Sequence, residues 1–499
     1  MYKLRHRTRT SSEKSSAVQK RVRFTKMMTR GERIGLTIAL VAVLAYGALL
    51  EQRTALRRVP MTDLTVPPCA AWALLHGDNI YKVTDCHNWH YGYPPAVAIF
   101  FIPFAEQPPT PPAVLPKGEL RTEANTPWGY EIASRKKLYG LHADNLHFFC
   151  IVAVWYFINL FLIAFSAHAL ACAVERTELR APRPTDPKQR RHWWLLRTIP
   201  LLICAGSLVT DLSRGQVDVL MLAAIAAGLY FASRRREFTA GWLLAIPAVI
   251  KLFPVLLLGL PFWRRRWKML LGSIASLLFL FLLLPALVMG PSRTIENYQT
   301  WFEVIIKPGL GAGTDTSRAH ELTAMNATDN QSLLAFFHNW QYHEIKRDQR
   351  PAKAGSGARV AVYVTGCLML LGFCFVAGKS GGDDSPQHIL LLAGILIGTA
   401  LLINPVVHNY YYLLLLPLLT SLVHHRLTNA APSSPLTSVS TLLITFTLID
   451  ILTRMPNIGP WLRDVGAPLL SVVALLITAA AIRIREQPVS TKSFALKTA

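Results

Sequence analysis

Apolar runs approaching the roughly 20 residues needed to cross a bilayer recur along most of this chain, and clusters of Lys and Arg mark where many of them end. The first run covers residues 34–50 and is followed by a polar stretch, 51–92. Residues 93–105 form a short apolar piece, after which a Pro-rich segment beginning QPPTPPAVLP extends to about Asp144. Longer runs follow at 147–172, 195–213, 216–233, 238–263 and 269–289. A second polar stretch, 290–357, precedes runs near 359–378, 388–403, 409–423, 436–452 and 466–482. This pattern predicts an all-α polytopic integral membrane protein with about 9–12 transmembrane helices plus re-entrant or interfacial helices.

The basic clusters fix an expected topology. They fall at 5–26, 176–197, 234–236, 264–268 and 483–485, and loops of that charge stay in the cytoplasm. The first run then leads outward, and 51–92 and 290–357 become external loops. For 147–172 to return inward, the 93–105 piece has to be re-entrant or interfacial; as a full crossing it would put the 176–197 cluster outside. Both ends of 238–263 are basic, so that run is expected to hold two half-helices meeting at Lys251-Leu252-Phe253-Pro254, where proline stops a helix and the break lines a cavity. No small-residue cleavage site follows the first run, which reads as a retained signal anchor. The domain plan is a basic, disordered cytoplasmic tail (1–33), a membrane domain (34–484) and a cytoplasmic C-terminal tail (485–499). In this scheme Asp63, Gln216, Lys251, Asn330 and His408 all lie at or near the external side.

Composition agrees: 52% of the 499 residues are hydrophobic and 16% charged, with mean hydropathy +0.31, against about 25% charged in soluble chains. The net charge of +23 suggests nucleic acid at first sight. Its confinement to the ends of apolar runs points instead to topology, and no nucleic-acid partner is expected. The seven cysteines show no metal spacing; Cys69 and Cys86 share the first external loop and could form a disulfide there. Gly-rich phosphate loops, HExxH and nucleophile elbows are absent from the sequence, so neither metal nor cofactor is expected.

Several polar residues stand where an apolar chain has no structural need of them. Asp63 opens the stretch DLTVPPCAAWALLHGDNIY directly after a span. It is either a loop acid that caps a helix or a base at the bilayer edge. Tyr93-Pro94-Pro95 initiates a helix, with Tyr93 also placed to line a cavity mouth. Lys251 interrupts AIPAVIKLFPVLLL; its ammonium either snorkels or meets an anion such as phosphate. In LSRGQVDVL, Arg214 and Gln216 offer further donors, and Asp218 could instead pair with Arg214 at i, i+4. Asn330 either caps the helix that follows it or hydrogen-bonds a sugar. His408, in NPVVHNYYYLLLLP, is either structural or a ligand for phosphate or sugar hydroxyls.

In order along the chain, DLTVPPCAAWALLHGDNIY, YPPAVAIFFIPF, RGQVDVLML, AGWLLAIPAVIKLFPVLLL, DNQSLLAFF and NPVVHNYYYLLLLP resemble the GT-C membrane glycosyltransferases of family 87, across about 34–480. The resemblance implies a hexosyltransferase that takes a hexose, mannose among the candidates, from a polyprenyl-phosphate-linked donor. Transfer would be to a lipid or glycan acceptor on the extracytoplasmic face of the cell membrane, with inversion. It implies Asp63 as general base, Lys251, Arg214 and His408 at the donor phosphate, and Tyr93, Gln216 and Asn330 at the substrate. Departures are Pro67-Pro68 where aromatic residues are common, Asp218 where asparagine is usual, and an insertion at 107–144. The rival readings are a transporter or flippase of a lipid-linked or small polar substrate, which needs no external base, and a catalytically inactive scaffold.

Overall fold

Thr29 starts the first described helix with a reciprocal cap: the Glu32 amide donates to the Thr29 hydroxyl, and the Thr29 amide to the Glu32 carboxylate. That helix, α1 (Arg30–Arg53), is the first of a chain that the computed structural model describes at residues 28–56, 60–85, 89–108, 143–310, 325, 330–351, 353–378, 385–429 and 436–485. The Pro-rich insertion, most of both tails and Cys86 lie outside the described residues; Cys69 is a buried free thiol.

Prolines in the first turn open α2 (Val66–His76) and α3 (Pro95–Phe100). At six residues α3 is about 9 Å long, too short to cross, which agrees with a re-entrant or interfacial 93–105 piece. There follow α4 (Ala143–Glu175), α5 (Pro187–Ile203), α6 (Ala205–Arg214), α7 (Asp218–Ser233) and α8 (Glu237–Ile250). A 3₁₀ stretch, Phe253–Leu258, leads into α9 (Gly259–Trp263), then α10 (Trp267–Met289) with a π-helical section at Leu278–Leu283. The second polar stretch carries α11 (Pro291–Trp301) and α12 (Leu333–Gln341), and the remainder is α13 (Ser356–Gly378), α14 (Pro386–Ile403), α15 (Leu416–Thr428), α16 (Leu436–Leu452), α17 (Gly459–Asp464) and α18 (Ala467–Arg485). Among the described residues the only β pairing is an isolated bridge, Thr84 to His90.

Among the described residues six helices are long and apolar enough to span alone, and α5 with α6, bent by 64°, would make a seventh. That is fewer full-length spans than the expected 9–12. The difference lies in four apolar helices of 10–17 residues, α7, α8 and the Phe253–Trp263 segment among them, which stop short because polar residues interrupt their runs. The centre is α14, with 89% of its apolar window buried; α1 is peripheral at 6%.

Side-chain contacts gather the basic loops at one end. Glu32 of α1 bonds Arg190 and Trp194 at the start of α5, and Glu178, just past α4, meets Arg234, just past α7, at 3.1 Å. His192 of α5 packs on His424 near the end of α15, whose Ser421 bonds the Gln387 carbonyl at the start of α14. Leu260, Arg264, Met269 and His388 line one small cavity, joining the end of α9 and the start of α10 to the same end. Both termini of the 237–263 segment are therefore on one side, and α8 penetrates about 21 Å (14 residues at 1.5 Å each) before the chain turns back at Lys251. The sequence expectation of two half-helices meets its counterpart here.

The penetrating helix is held by close approach. A Cβ on Gly241 would stand 1.7 Å from the Met269 carbonyl oxygen, and one on Gly272 2.1 Å from that of Phe238. Ser273 of α10 donates across this contact to the Gly241 carbonyl at 3.0 Å, a small-residue crossing of the kind membrane helices use. Gly241→Ala or Gly272→Ala should lower stability by about 1–3 kcal/mol, measured as thermal unfolding in detergent. Gly35→Ala, where a Cβ meets nothing within 4 Å, should leave it unchanged.

Candidate active site

Asp63 begins a single 3₁₀ turn, Asp63–Thr65, capped by Thr62, whose hydroxyl accepts the Leu64 amide at 3.2 Å. The same hydroxyl donates to the Arg214 carbonyl at 3.0 Å, fastening this turn to the end of α6. Gly215, with φ +65°, ends α6 in the left-handed region, and a Cβ there would lie 2.7 Å from Leu64 Cβ. Glycine therefore serves both the turn and the close approach. The turn sets Arg214 and Gln216 beside the acid: the Gln216 side-chain amide donates to Asp63 Oδ2, and an Arg214 Nη lies 3.8 Å from the same oxygen. The Tyr93 hydroxyl donates to Gln216 Oε1 at 3.0 Å, so one amide links tyrosine and carboxylate. The Asp63 side chain is 26% exposed and Arg214 35%. Pro67-Pro68 sit in the first turn of α2 and start the helix after the acid.

Lys251 stands at the break between α8 and the Phe253–Leu258 turn. Its ammonium meets both oxygens of Asp218 at 2.9 Å, with Asp218 fully buried and Lys251 11% exposed. This corrects the Arg214–Asp218 pairing suggested by their spacing. Gly215 ends one helix and Asp218 starts the next, so the two do not share a helical face, and Arg214 turns to Asp63 instead. Aromatic rings enclose the ammonium: it lies 3.9 Å from the Tyr411 centroid, 5.7 Å from Tyr410 and 5.9 Å from Tyr93. Tyr93 thereby bridges the two halves of the site, its hydroxyl on Gln216 and its ring beside Lys251.

His408 stacks on Tyr410 with centroids 5.2 Å apart and planes within 9°, and the Arg214 guanidinium lies 5.7 Å from the centroid of that same Tyr410 ring. Asn330 is engaged with backbone: it donates to the Pro405 carbonyl at 3.0 Å and accepts the Val407 and Ser332 amides at 3.0 and 3.2 Å. It shapes the loop from which His408 projects. Six of the seven residues singled out in the sequence thus fall on two connected clusters, and Asn330 supports the His408 loop from behind.

Sequence reasoning missed four contributors. Tyr410 and Tyr411 looked like interfacial aromatics. Asp218 was assigned to the wrong cation, although a buried ammonium in an apolar run was itself a signal that a buried anion had to exist. Asp211, 1% exposed, has no hydrogen-bond partner for either oxygen among the described residues. Behind α6, Ser207 donates to Asp450 at 2.8 Å, and its hydroxyl lies 2.9 Å from the Asn409 carbonyl. Asp450 pairs with Arg454 at 2.8 Å, so α6 is locked to the start of the tyrosine run. No group of three or more His, Cys, Asp or Glu side chains is arranged for a metal among the described residues.

Comparison with known proteins supplies the chemistry class. A search of curated proteins found no match. The model of glycosyltransferase family 87 matches residues 89–405, a span narrower than the 34–480 over which the motifs are ordered. Tyr93, Arg214, Gln216, Lys251 and Asn330 lie inside the match, whereas Asp63 precedes it and His408 follows it. Family membership favours a transferase over the transporter reading. The multi-pass helical architecture and a match to well over half of the chain place it together: the protein belongs to glycosyltransferase family 87 and is a membrane glycosyltransferase.

Proposed function

We propose that the protein transfers a hexose from a polyprenyl-phosphate-linked donor to a lipid or glycan acceptor on the extracytoplasmic face, inverting the anomeric carbon, with Asp63 as general base. The observation that carries this reading is the placement of a part-exposed carboxylate, gripped by Gln216 and Arg214, one tyrosine ring away from a buried ammonium. Sidedness is supported by charge: these residues stand at the end opposite the gathered basic loops, which stay in the cytoplasm.

In the proposed reaction the acceptor hydroxyl passes its proton to Asp63 as its oxygen attacks C1 of the sugar. The C1–O bond to phosphate breaks, and polyprenyl phosphate departs with the bonding electrons. The monophosphate leaves with at most two negative charges, so one or two fixed cations suffice to stabilise it. Arg214, the more exposed cation, meets the phosphate first. Lys251 stands behind it, partly neutralised by Asp218, and His408 acts through the Tyr410 ring on which it stacks. Tyr93 and Gln216 orient the acid and border the sugar, while Asn330 holds the His408 loop.

The test is incubation of purified protein with several polyprenyl-phosphate sugars, followed by release of free polyprenyl phosphate. Asp63→Asn should fold normally and lose about 10²- to 10⁴-fold in turnover; near-normal transfer would remove Asp63 from the mechanism. The buried pair gives a second test. Lys251→Met or Asp218→Leu alone should destabilise the protein by about 3–5 kcal/mol, because each strands a buried charge. The double variant should regain most of that stability yet remain inactive. Recovery of transfer along with stability would make Lys251 a structural residue only.

A further inference from the structure

A cavity of about 420 Å³ opens at the basic end, between the last turn of α4 and the first turns of α5. It shares no residue with the Asp63 cluster, and the proposed transfer leaves it without a role. Its volume is in the range of small-ligand sites.

The floor of this cavity is chemically complete. The buried Arg197 guanidinium reaches Glu175 at 2.8 and 3.2 Å, His168 Nδ1 at 3.0 Å, the Trp193 carbonyl at 2.9 Å and Cys172 Sγ at 3.5 Å. Every donor it has is matched, and its charge is cancelled by Glu175. The other carboxylate in the lining, Glu178, is matched by Arg234 at 3.1 Å and by the Tyr230 hydroxyl at 3.0 Å. Neither acid is left to repel an anion.

The unmatched charge is at the mouth. Lys188, in the first turn of α5, lines the cavity, is exposed, and has no ion-pair partner among the described residues. Gln189 and His192 line the same side and offer further hydrogen-bond donors. Around them, segment 176–197 carries seven Lys and Arg against two Asp and Glu, a field that favours anions. Arg183 lies 5.9 and 5.7 Å from the Trp193 and Trp194 rings, drawing the loop onto the start of α5. The height is also defined: α4 is a long apolar helix that ends here, and paired tryptophans at the start of α5 mark a membrane–water interface. Basic pockets between membrane helices at that level suit phosphate headgroups.

We propose that this cavity binds the phosphate-bearing headgroup of an anionic phospholipid from the leaflet in which α4 ends and α5 begins. The headgroup phosphate meets Lys188 at the mouth and hydrogen-bonds Gln189 and His192, while the neutral floor accepts the remainder of the headgroup. The lipid is a structural or regulatory ligand of the basic end and does not take part in transfer.

The experiment uses the full chain in detergent, titrated with phosphatidylglycerol or phosphatidylcholine and read by native mass spectrometry. The wild type should retain phosphatidylglycerol in preference to phosphatidylcholine. Lys188→Gln should weaken phosphatidylglycerol about fivefold, the worth of one interfacial lysine, and leave phosphatidylcholine unchanged. Lys268→Gln, on a basic cluster outside the cavity, should match the wild type. Equal retention of the two lipids, or an equal loss in both lysine variants, would overturn the site. Full displacement of phosphatidylglycerol by inorganic phosphate at millimolar concentration would reassign the cavity to a soluble anion and overturn the lipid as its source.

Discussion

An ammonium deep in an apolar chain has to find an anion, and here that requirement organises the site. Lys251 meets Asp218 at 2.9 Å with the carboxylate fully buried. The pair joins the tip of the penetrating α8 to the first residue of α7, at the point where each helix is interrupted. Desolvating two charges is costly and their attraction offsets that cost only when geometry is good. The three tyrosines around the ammonium supply part of the compensation. Because Tyr93 and Tyr410 also touch Gln216 and Arg214, which hold Asp63, the position of the acid is tied to this pair through two tyrosines.

Backbone devices complete this dependence. Gly215 lets α6 turn sharply enough to bring both its neighbours to one oxygen of Asp63, and Thr62 ties the two segments through one hydroxyl. Gly241 and Gly272 allow α8 and α10 to touch backbone to backbone, which holds Lys251 at depth. The short helices that fall below the length of a full span are thus the ones that bring polar groups into the membrane interior. Their interruption is part of the site.

Much of the architecture was legible because its signals are local. Basic clusters flanking 238–263 and the proline at 254 located the break at Lys251, and Pro94-Pro95 located a helix start. Pairings across long sequence separation were not legible. Lys251 and Asp218 are far apart in the chain, and the nearer Arg214 was the natural partner until the left-handed turn at Gly215 separated them. The use of Asn330 on a distant loop was hidden for the same reason. Helix depth was not legible, because hydropathy records where apolar residues are and not how deep each helix runs.

The most direct measurement is a structure of the full chain with a hydrolysis-resistant phosphonate analogue of a polyprenyl-phosphate sugar. The account expects the phosphonate beside Arg214 and Lys251, and C1 of the sugar placed so that an acceptor oxygen about 3–3.5 Å away lies within hydrogen-bond reach of Asp63. A headgroup seated at the basic end, or one whose sugar is walled off from Asp63 by the tyrosines, would contradict it.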